Sequence, residues 1–240
     1  MAKIFITGSS DGLGQLAAAR LLEEGHEVVL HARNKKRAEY ALSKIPGATK
    51  VLIADLSSME ESKQLAGEVN ALGKFDAIIH NAGVYQASSD LIFYVNTIAP
   101  YILTSLIHKP ERLIYLSSGL HKSGNPDLTN MDSGQISYSD SKLHNLLLAK
   151  AVARRWPDVY SNAVEPGWVP TKMGGPGATD DLQKGFETQV WLATNENAKV
   201  SGRYFFHQKE AAYRKETDDP GLQDSFLEKC AELTGVSFPS

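Results

Sequence analysis

A doubly wound parallel α/β sheet, layered helix–sheet–helix in one domain, is the fold class that the sequence predicts. Three observations lead there. Short apolar runs alternate with amphipathic stretches from one end of the chain to the other. The first of these runs stops at a glycine-rich turn that opens a helical pattern. No linker, repeat or low-complexity tract divides the 240 residues, so a single domain over 1–240 is expected.

Taken in order, residues 3–7 read as a buried strand, because an apolar run with no alternation suits a parallel strand covered on both faces. The turn Thr7-Gly8-Ser9-Ser10-Asp11-Gly12-Leu13-Gly14 follows, then a helix over about 15–24. Gly8 suits a tight turn and Gly12 a close approach of backbone N–H groups to a pyrophosphate. Gly14 suits close packing of helix on sheet. With Ser9, Ser10 and Leu13 these residues form a candidate dinucleotide cradle at a helix N-terminus, whose dipole favours an anion. A glycine turn with no ligand is the plainer alternative.

The second strand is expected at 27–31. An acid that reads a ribose 2′-hydroxyl belongs near its end, about 20 residues past the glycines. Ala32 and Arg33 stand there instead. A guanidinium can clamp a 2′-phosphate, so NADP is favoured over NAD. The plainer alternative is that Arg33 merely opens the solvated helix expected over 34–44, and Asp11 in the turn weakens the case slightly, because a second cation is often found there in NADP binders. The third strand, 50–54, ends at Asp55-Leu56, where Asp55 could accept from an adenine amine or cap the helix over 58–72. The fourth strand, 75–80, ends at Asn81-Ala82-Gly83, small residues that let backbone lie against a flat ligand.

A helix over 90–108 carries Asn96 and Pro100, and Pro100 predicts a kink because it has no N–H for the carbonyl four residues earlier. The fifth strand, 112–116, ends at Ser117-Ser118, and a polar loop over 119–137 leads to Tyr138. The helix from Tyr138 to about 156 places Tyr138 and Lys142 four apart on one face, where a cation can bring a phenol toward working pH. The spacing alone equally describes an ordinary helix face. The sixth strand, 159–164, leads into Glu165-Pro166-Gly167-Trp168-Val169-Pro170-Thr171 and a Gly/Pro-rich loop to 178. A helix to about 194, a strand over 203–206 and a last helix over 221–234 complete the chain.

The chain is 42% hydrophobic, ample for a core, and its net charge of −3 lacks the basic footprint of a nucleic-acid binder. The single Cys230 excludes an intrachain disulfide. No apolar run nears the roughly 18–20 residues of a membrane span. The amino terminus enters a strand without a signal-peptide pattern. A cytoplasmic protein with no membrane or nucleic-acid partner, and no metal, is the expectation.

In their order and spacing these motifs resemble the short-chain dehydrogenase/reductase family along nearly the whole chain. The matches are TGxxxGxG at 7–14, Asp55, Asn81-Ala82-Gly83, Asn96, Ser118, Tyr138 with Lys142, and Pro166-Gly167 with Thr171. The resemblance implies a Rossmann-like sheet of order 3-2-1-4-5-6-7 and a catalytic tetrad of Asn96, Ser118, Tyr138 and Lys142. It implies an NADP-dependent carbonyl reductase or alcohol dehydrogenase acting on a small, largely apolar carbonyl or alcohol substrate. Lys142 would hold the nicotinamide ribose and lower the Tyr138 pKa, and Thr171 and the backbone at Val169 would anchor the carboxamide. A homodimer or homotetramer through the helices bearing Asn96 and Tyr138 is also implied. Ser118 and Tyr138 lie 20 positions apart, more than is common in the family, and His80 replaces a more usual asparagine. The loop after Thr171 looks short, which suggests an open cleft, with Tyr85, Leu120, His121, Trp168 and Met173 as candidate walls. Two other classes are weighed beside the reductase. An NADP(H)-sensing regulator has no need of Tyr138 and Lys142. An epimerase or dehydratase usually carries a larger C-terminal substrate domain.

Overall fold

Near the middle of the sheet lies β1 (Lys3–Ile6), whose Ile4, Phe5 and Ile6 are fully buried in a computed structural model that describes residues 1–239. The chain continues through α1 (Gly12–Glu23), β2 (Glu27–Ala32), α2 (Lys35–Lys44), β3 (Lys50–Ile53), α3 (Met59–Ala71) and β4 (Ala77–His80). Next come α4 (Ser89–Phe93), α5 (Ala99–Leu106), β5 (Arg112–Leu116), α6 (Asn130–Ser133), α7 (Tyr138–Arg155) and β6 (Tyr160–Glu165). Last are α8 (Leu182–Thr194), β7 (Tyr204–Phe206), β8 (Lys209–Glu210) and α9 (Pro220–Thr234). The sheet order is β3-β2-β1-β4-β5-β6-β7-β8, parallel throughout except for β8. The order reverses between β1 and β4, which opens a crevice at the carboxyl ends of the strands.

Successive side chains of a strand point to opposite faces, and both faces are covered here. Phe5 and Val29 pack with α3, α5, α7 and α9, whereas Ile4, Ile6, Val28 and Leu30 pack with α1, α2 and α8. The all-apolar strands follow from this two-sided burial.

The seven expected strands are present, each within two residues of the expected ends. Three features differ from the expectation. α1 starts at Gly12, inside the glycine turn, rather than at residue 15. β8 was missed because its hairpin turns at His207 and Gln208 with φ of 49° and 62°. That geometry normally advertises itself as Asn-Gly or Asp-Gly, and here the two positions are His-Gln. The single helix expected over 90–108 is two helices joined by a π-helical turn, Tyr94–Ile98, across which the Ala99 N–H reaches the Tyr94 carbonyl. The extra residue of that turn sits directly before Pro100, which has no N–H to give.

Residues 140–152 of α7 are all buried within the single chain, and α9 supplies much of the cover through Phe226, Leu227 and Cys230. The Tyr101 hydroxyl on α5 donates to the Val236 carbonyl at 2.7 Å. The helices through which the resemblance implies a subunit contact are therefore already packed against the chain's own carboxyl-terminal segment.

Candidate active site

The glycine turn is built by side chains that reach it from neighbouring strands. Gly8 has φ of +63°, and a Cβ there would lie 2.7 Å from the Ala82 Cα. Its N–H donates to His31 Nδ1 at 3.0 Å, so the His31 proton sits on Nε2, which faces the Ala54 carbonyl at 3.0 Å. Burial pushes the His31 pKa down to about 4, which keeps the ring neutral and this pairing intact at neutral pH. Asn81 Nδ2 donates to the carbonyls of Thr7 at 2.9 Å and Gly8 at 3.1 Å. Gly14 packs against the same Asn81 amide, where a Cβ would collide.

Asp11 is the N-cap of α1, yet its side chain caps none of the helix N–H groups. It accepts instead from Arg37 at 2.7 Å and Lys172 at 3.0 Å. Burial raises the Asp11 pKa, but these two cations overcome it and hold the carboxyl below its ordinary value. The N–H groups of the first turn of α1 are left for another acceptor.

This turn forms one wall of a cavity of about 300 Å³. Arg33, Asp55 and Leu56 line one end, and Tyr138 and Lys142 the other. Arg33 is exposed and makes no ion pair among the described residues. Asp55 Oδ1 accepts from the Ser57 N–H at 3.0 Å and from its hydroxyl at 2.7 Å. The cap of α3 is Ser58 rather than Asp55, with its hydroxyl on the Glu61 N–H at 3.2 Å.

Tyr138 is the first residue of α7, placed there by a capping box. The buried Asp140 carboxylate accepts from the Ser137 N–H at 2.9 Å and from the Asn125 N–H at 2.7 Å, tying the preceding loop to the helix start. Burial pushes the Tyr138 phenol up to about 12, the adjacent Ser118 hydroxyl pulling the other way. Lys142 Nζ donates to the Leu116 carbonyl at 2.8 Å and lies 5.4 Å from the centre of the Tyr138 ring. Burial pushes the lysine down to about 8. The expected lowering of the phenol by Lys142 is thus absent in the protein alone, because desolvation dominates both groups.

Ser117 and Ser118 separate cleanly. Both line a second, open cleft together with Tyr138, but the Ser117 hydroxyl is spent on the Lys142 carbonyl at 2.7 Å, whereas the Ser118 hydroxyl accepts from the Leu120 N–H at 3.3 Å and keeps its proton to donate. Asn96 lies behind the site in the π-helical turn, fully buried. Its side chain accepts from the Val84 N–H at 2.8 Å and donates to the Val84 carbonyl and the Ser141 hydroxyl, both at 3.0 Å. The second cleft holds about 710 Å³ and is walled by Tyr85, Leu120, Trp168 and Met173. Its far wall is the loop after β6, closed by Asp180, which accepts from the Trp168 N–H at 2.6 Å and donates its own N–H to the Trp168 carbonyl at 2.9 Å.

The family model described as short chain dehydrogenase matches residues 2–110. "Short-chain dehydrogenase chyC" of Penicillium rubens is 42% identical over 100% of both chains. The chain belongs to the short-chain dehydrogenase family. Among solved structures, an uncharacterised protein from Mycobacterium paratuberculosis superposes with a TM-score of 0.83 at 22% identity, over 100% of this chain and 96% of that one. A blue fluorescent protein from a metagenomic library, solved in complex with NADPH, does so with a TM-score of 0.72 at 18% identity, over 85% and 95%.

As a short-chain dehydrogenase the protein is an oxidoreductase of a family that uses NAD(P), and its residues fit a dinucleotide. A glycine cradle with no room for a Cβ at Gly8 or Gly14 faces a helix end with free N–H groups, along one wall of the cavity. Of the residues expected there, Gly8, Ser10, Gly12 and Leu13 line the cavity, as do Asn81, Ala82, Gly83, Pro166 and Thr171. Ser9 does not: it is buried, its hydroxyl donating to the Ile6 carbonyl and accepting from the His31 N–H. Gly167 and Val169 line the open cleft instead. His121, expected in the cleft wall, is fully buried behind it. Its Nδ1 meets the Ser118 carbonyl at 2.7 Å and its Nε2 accepts from the Arg214 N–H at 3.2 Å. His31, Arg37 and Lys172 are site residues that motif reading missed. The basic cluster 33–37 was the one available signal for Arg37. No helix among the described residues is long and apolar enough to cross a membrane.

Proposed function

We propose that this short-chain dehydrogenase reduces a carbonyl compound, with NADPH in the cavity along the glycine turn and the substrate in the cleft walled by Tyr85, Leu120, Trp168 and Met173. The observation that carries the reading is the position of Tyr138, which lines both cavities and is the group that can act on a carbonyl oxygen from within hydrogen-bond reach. When bound, the nicotinamide supplies the hydride. Tyr138 gives its proton to the oxygen as charge develops there, and the Ser118 hydroxyl donates a second hydrogen bond to the same oxygen. A phenol held near 12 is an acid at neutral pH, which suits reduction. Lys142 gives one of its three N–H donors to the Leu116 carbonyl and has two left for a ribose. Asn96 clamps the Val84 backbone and so shapes the wall behind that lysine. Thr171, which lines both cavities, orients the carboxamide.

Three features support NADPH over NADH. Arg33, just past the end of β2, is free of ion pairs among the described residues, no carboxylate adjoins it in the chain, and Asp11 is already paired with Arg37 and Lys172. An apolar substrate fits the rim of the cleft, where Tyr85, Leu120, Trp168 and Met173 are 43%, 47%, 55% and 46% exposed around one opening. The test is consumption of NADPH, followed by its absorbance, with a panel of ketones, aldehydes and quinones. Turnover with NADPH well above that with NADH is expected. NADPH binding without turnover of any compound favours a cofactor-sensing role instead.

A further inference from the structure

Resting on the reading of the open cleft as the carbonyl-substrate site, we propose that Glu165 selects the substrate. It favours molecules that bring an O–H, N–H or ammonium donor beside the carbonyl, and it rejects anions. Glu165 ends β6 and lines the cleft with Ser118 and Tyr138. Its Oε2 accepts from the hydroxyl of Tyr204 at 2.8 Å, and that tyrosine is buried, which fixes the carboxylate in place. Burial and the Glu165 charge both push the Tyr204 phenol up, so it stays a donor. Oε1 lies against Gly119, where a Cβ would collide with it. Glycine at 119 therefore leaves this oxygen room immediately beside Ser118. A carboxylate carries about four acceptor sites, and Tyr204 fills one.

The surrounding charges leave Glu165 unbalanced. Among the described residues no lysine or arginine pairs with it. The neighbouring His121, stacked against Tyr204, has its pKa pushed down by burial and spends both ring nitrogens on backbone groups. The other ionisable side chains lining the cleft, tyrosines apart, are Lys172, already on Asp11, and Asp180, which is a second anion. A bound carboxylate or phosphate would face two anions with no free cation. A bound donor would meet a preset acceptor. Repulsion of the wrong ligand and attraction of the right one thus act from the same residue.

The test needs no knowledge of the natural substrate. Acetophenones carrying a meta or para aminomethyl, hydroxymethyl, methyl or carboxylate group are compared by kcat/KM with NADPH. The aminomethyl and hydroxymethyl compounds should lead, and the carboxylate should trail the aminomethyl compound by at least tenfold. In Glu165→Gln that ratio should fall by about tenfold. Equal rates for carboxylate and aminomethyl compounds in the wild type overturn the assignment without any variant. So does a ratio that stays within twofold in Glu165→Gln. If no ketone turns over, calorimetric titration of the same compounds into the protein–NADP complex decides it. The same ranking in binding sustains the role of Glu165 while the reductase reading fails. A carboxylate that binds as tightly as the ammonium compound overturns it.

Discussion

The cavity along the glycine turn and the larger cleft meet at Tyr138 but are built in different ways. The glycine wall of the cavity is backbone held in place by side chains: His31 on the Gly8 N–H, Asn81 on two carbonyls, Thr7 on the Ala82 N–H. Each of these bonds ties the turn after β1 to β2 or to the segment after β4, so the wall is anchored to the sheet. The cleft is made of side chains from loops after β4, β5 and β6, four of them large, apolar and exposed. A wall made of strand ends is costly to alter, because the core moves with it. A wall made of exposed side chains can change while the sheet stays as it is. The division suits one invariant ligand on one side and an adaptable one on the other.

Substitution at the junction should have the largest effect. Tyr138→Phe removes the transferable proton and little else. Turnover should fall by about 10²–10⁴, as for loss of a general acid, with NADPH affinity retained. Activity within about tenfold of wild type in steady-state assays would sink the mechanism. Within the cavity, Gly8→Ala places a Cβ against the Ala82 backbone at a positive φ. A loss of about 1–3 kcal/mol in denaturant unfolding is expected, as for overpacking, together with failure to bind either cofactor. Trp168→Ala on the rim is the contrast. It should change KM for ketones while leaving stability within about 0.5 kcal/mol, as for most surface sites. If Trp168→Ala unfolds the protein as readily as Gly8→Ala, the two regions are not built differently.

Arg33→Ala should weaken NADPH by about 1–3 kcal/mol, as for a charged hydrogen bond, and leave NADH nearly untouched. Equal losses for both in fluorescence titrations would remove Arg33 from the 2′-phosphate.

The smallest effect is on pH dependence. Lys142, with its pKa pushed down to about 8, carries its charge below that pH and loses it above. NADPH affinity should decline as pH rises through about 8, and the decline should be absent in Lys142→Met. The sign for stability is opposite. Between about 8 and the ordinary lysine value of 10.5 the unfolded chain binds more protons than the folded one, so stability contributed by this site rises with pH. Lys142→Met should therefore stabilise more at pH 7 than at pH 10.

Much of the cavity was legible in the sequence because its demands are local. A glycine that must turn at positive φ, and one that must pack against Asn81, are requirements on residue type at fixed spacing. So is an apolar strand buried on both faces. The same locality places Tyr138 and Lys142 on one face of a helix from their spacing alone. It also foretold a break in the helix at Pro100, though as a kink rather than a π-helical turn.

What only the tertiary structure decided depends on groups far apart in the chain. Whether Ser117 or Ser118 has a hydroxyl to give in the cleft depends on which one α7 takes, 25 residues on. Asp11, which read as an obstacle to a phosphate, is matched by Arg37 and by Lys172, 161 residues away. The direction of the Tyr138 shift was misjudged because spacing reports a neighbouring cation and cannot report desolvation, which depends on everything packed around the phenol. Glu165 reads in sequence as one polar residue before Pro166-Gly167. Only the fold brings Tyr204 and Gly119 to its two oxygens, because an acceptor's charge and orientation are set by partners that chain order does not put beside it.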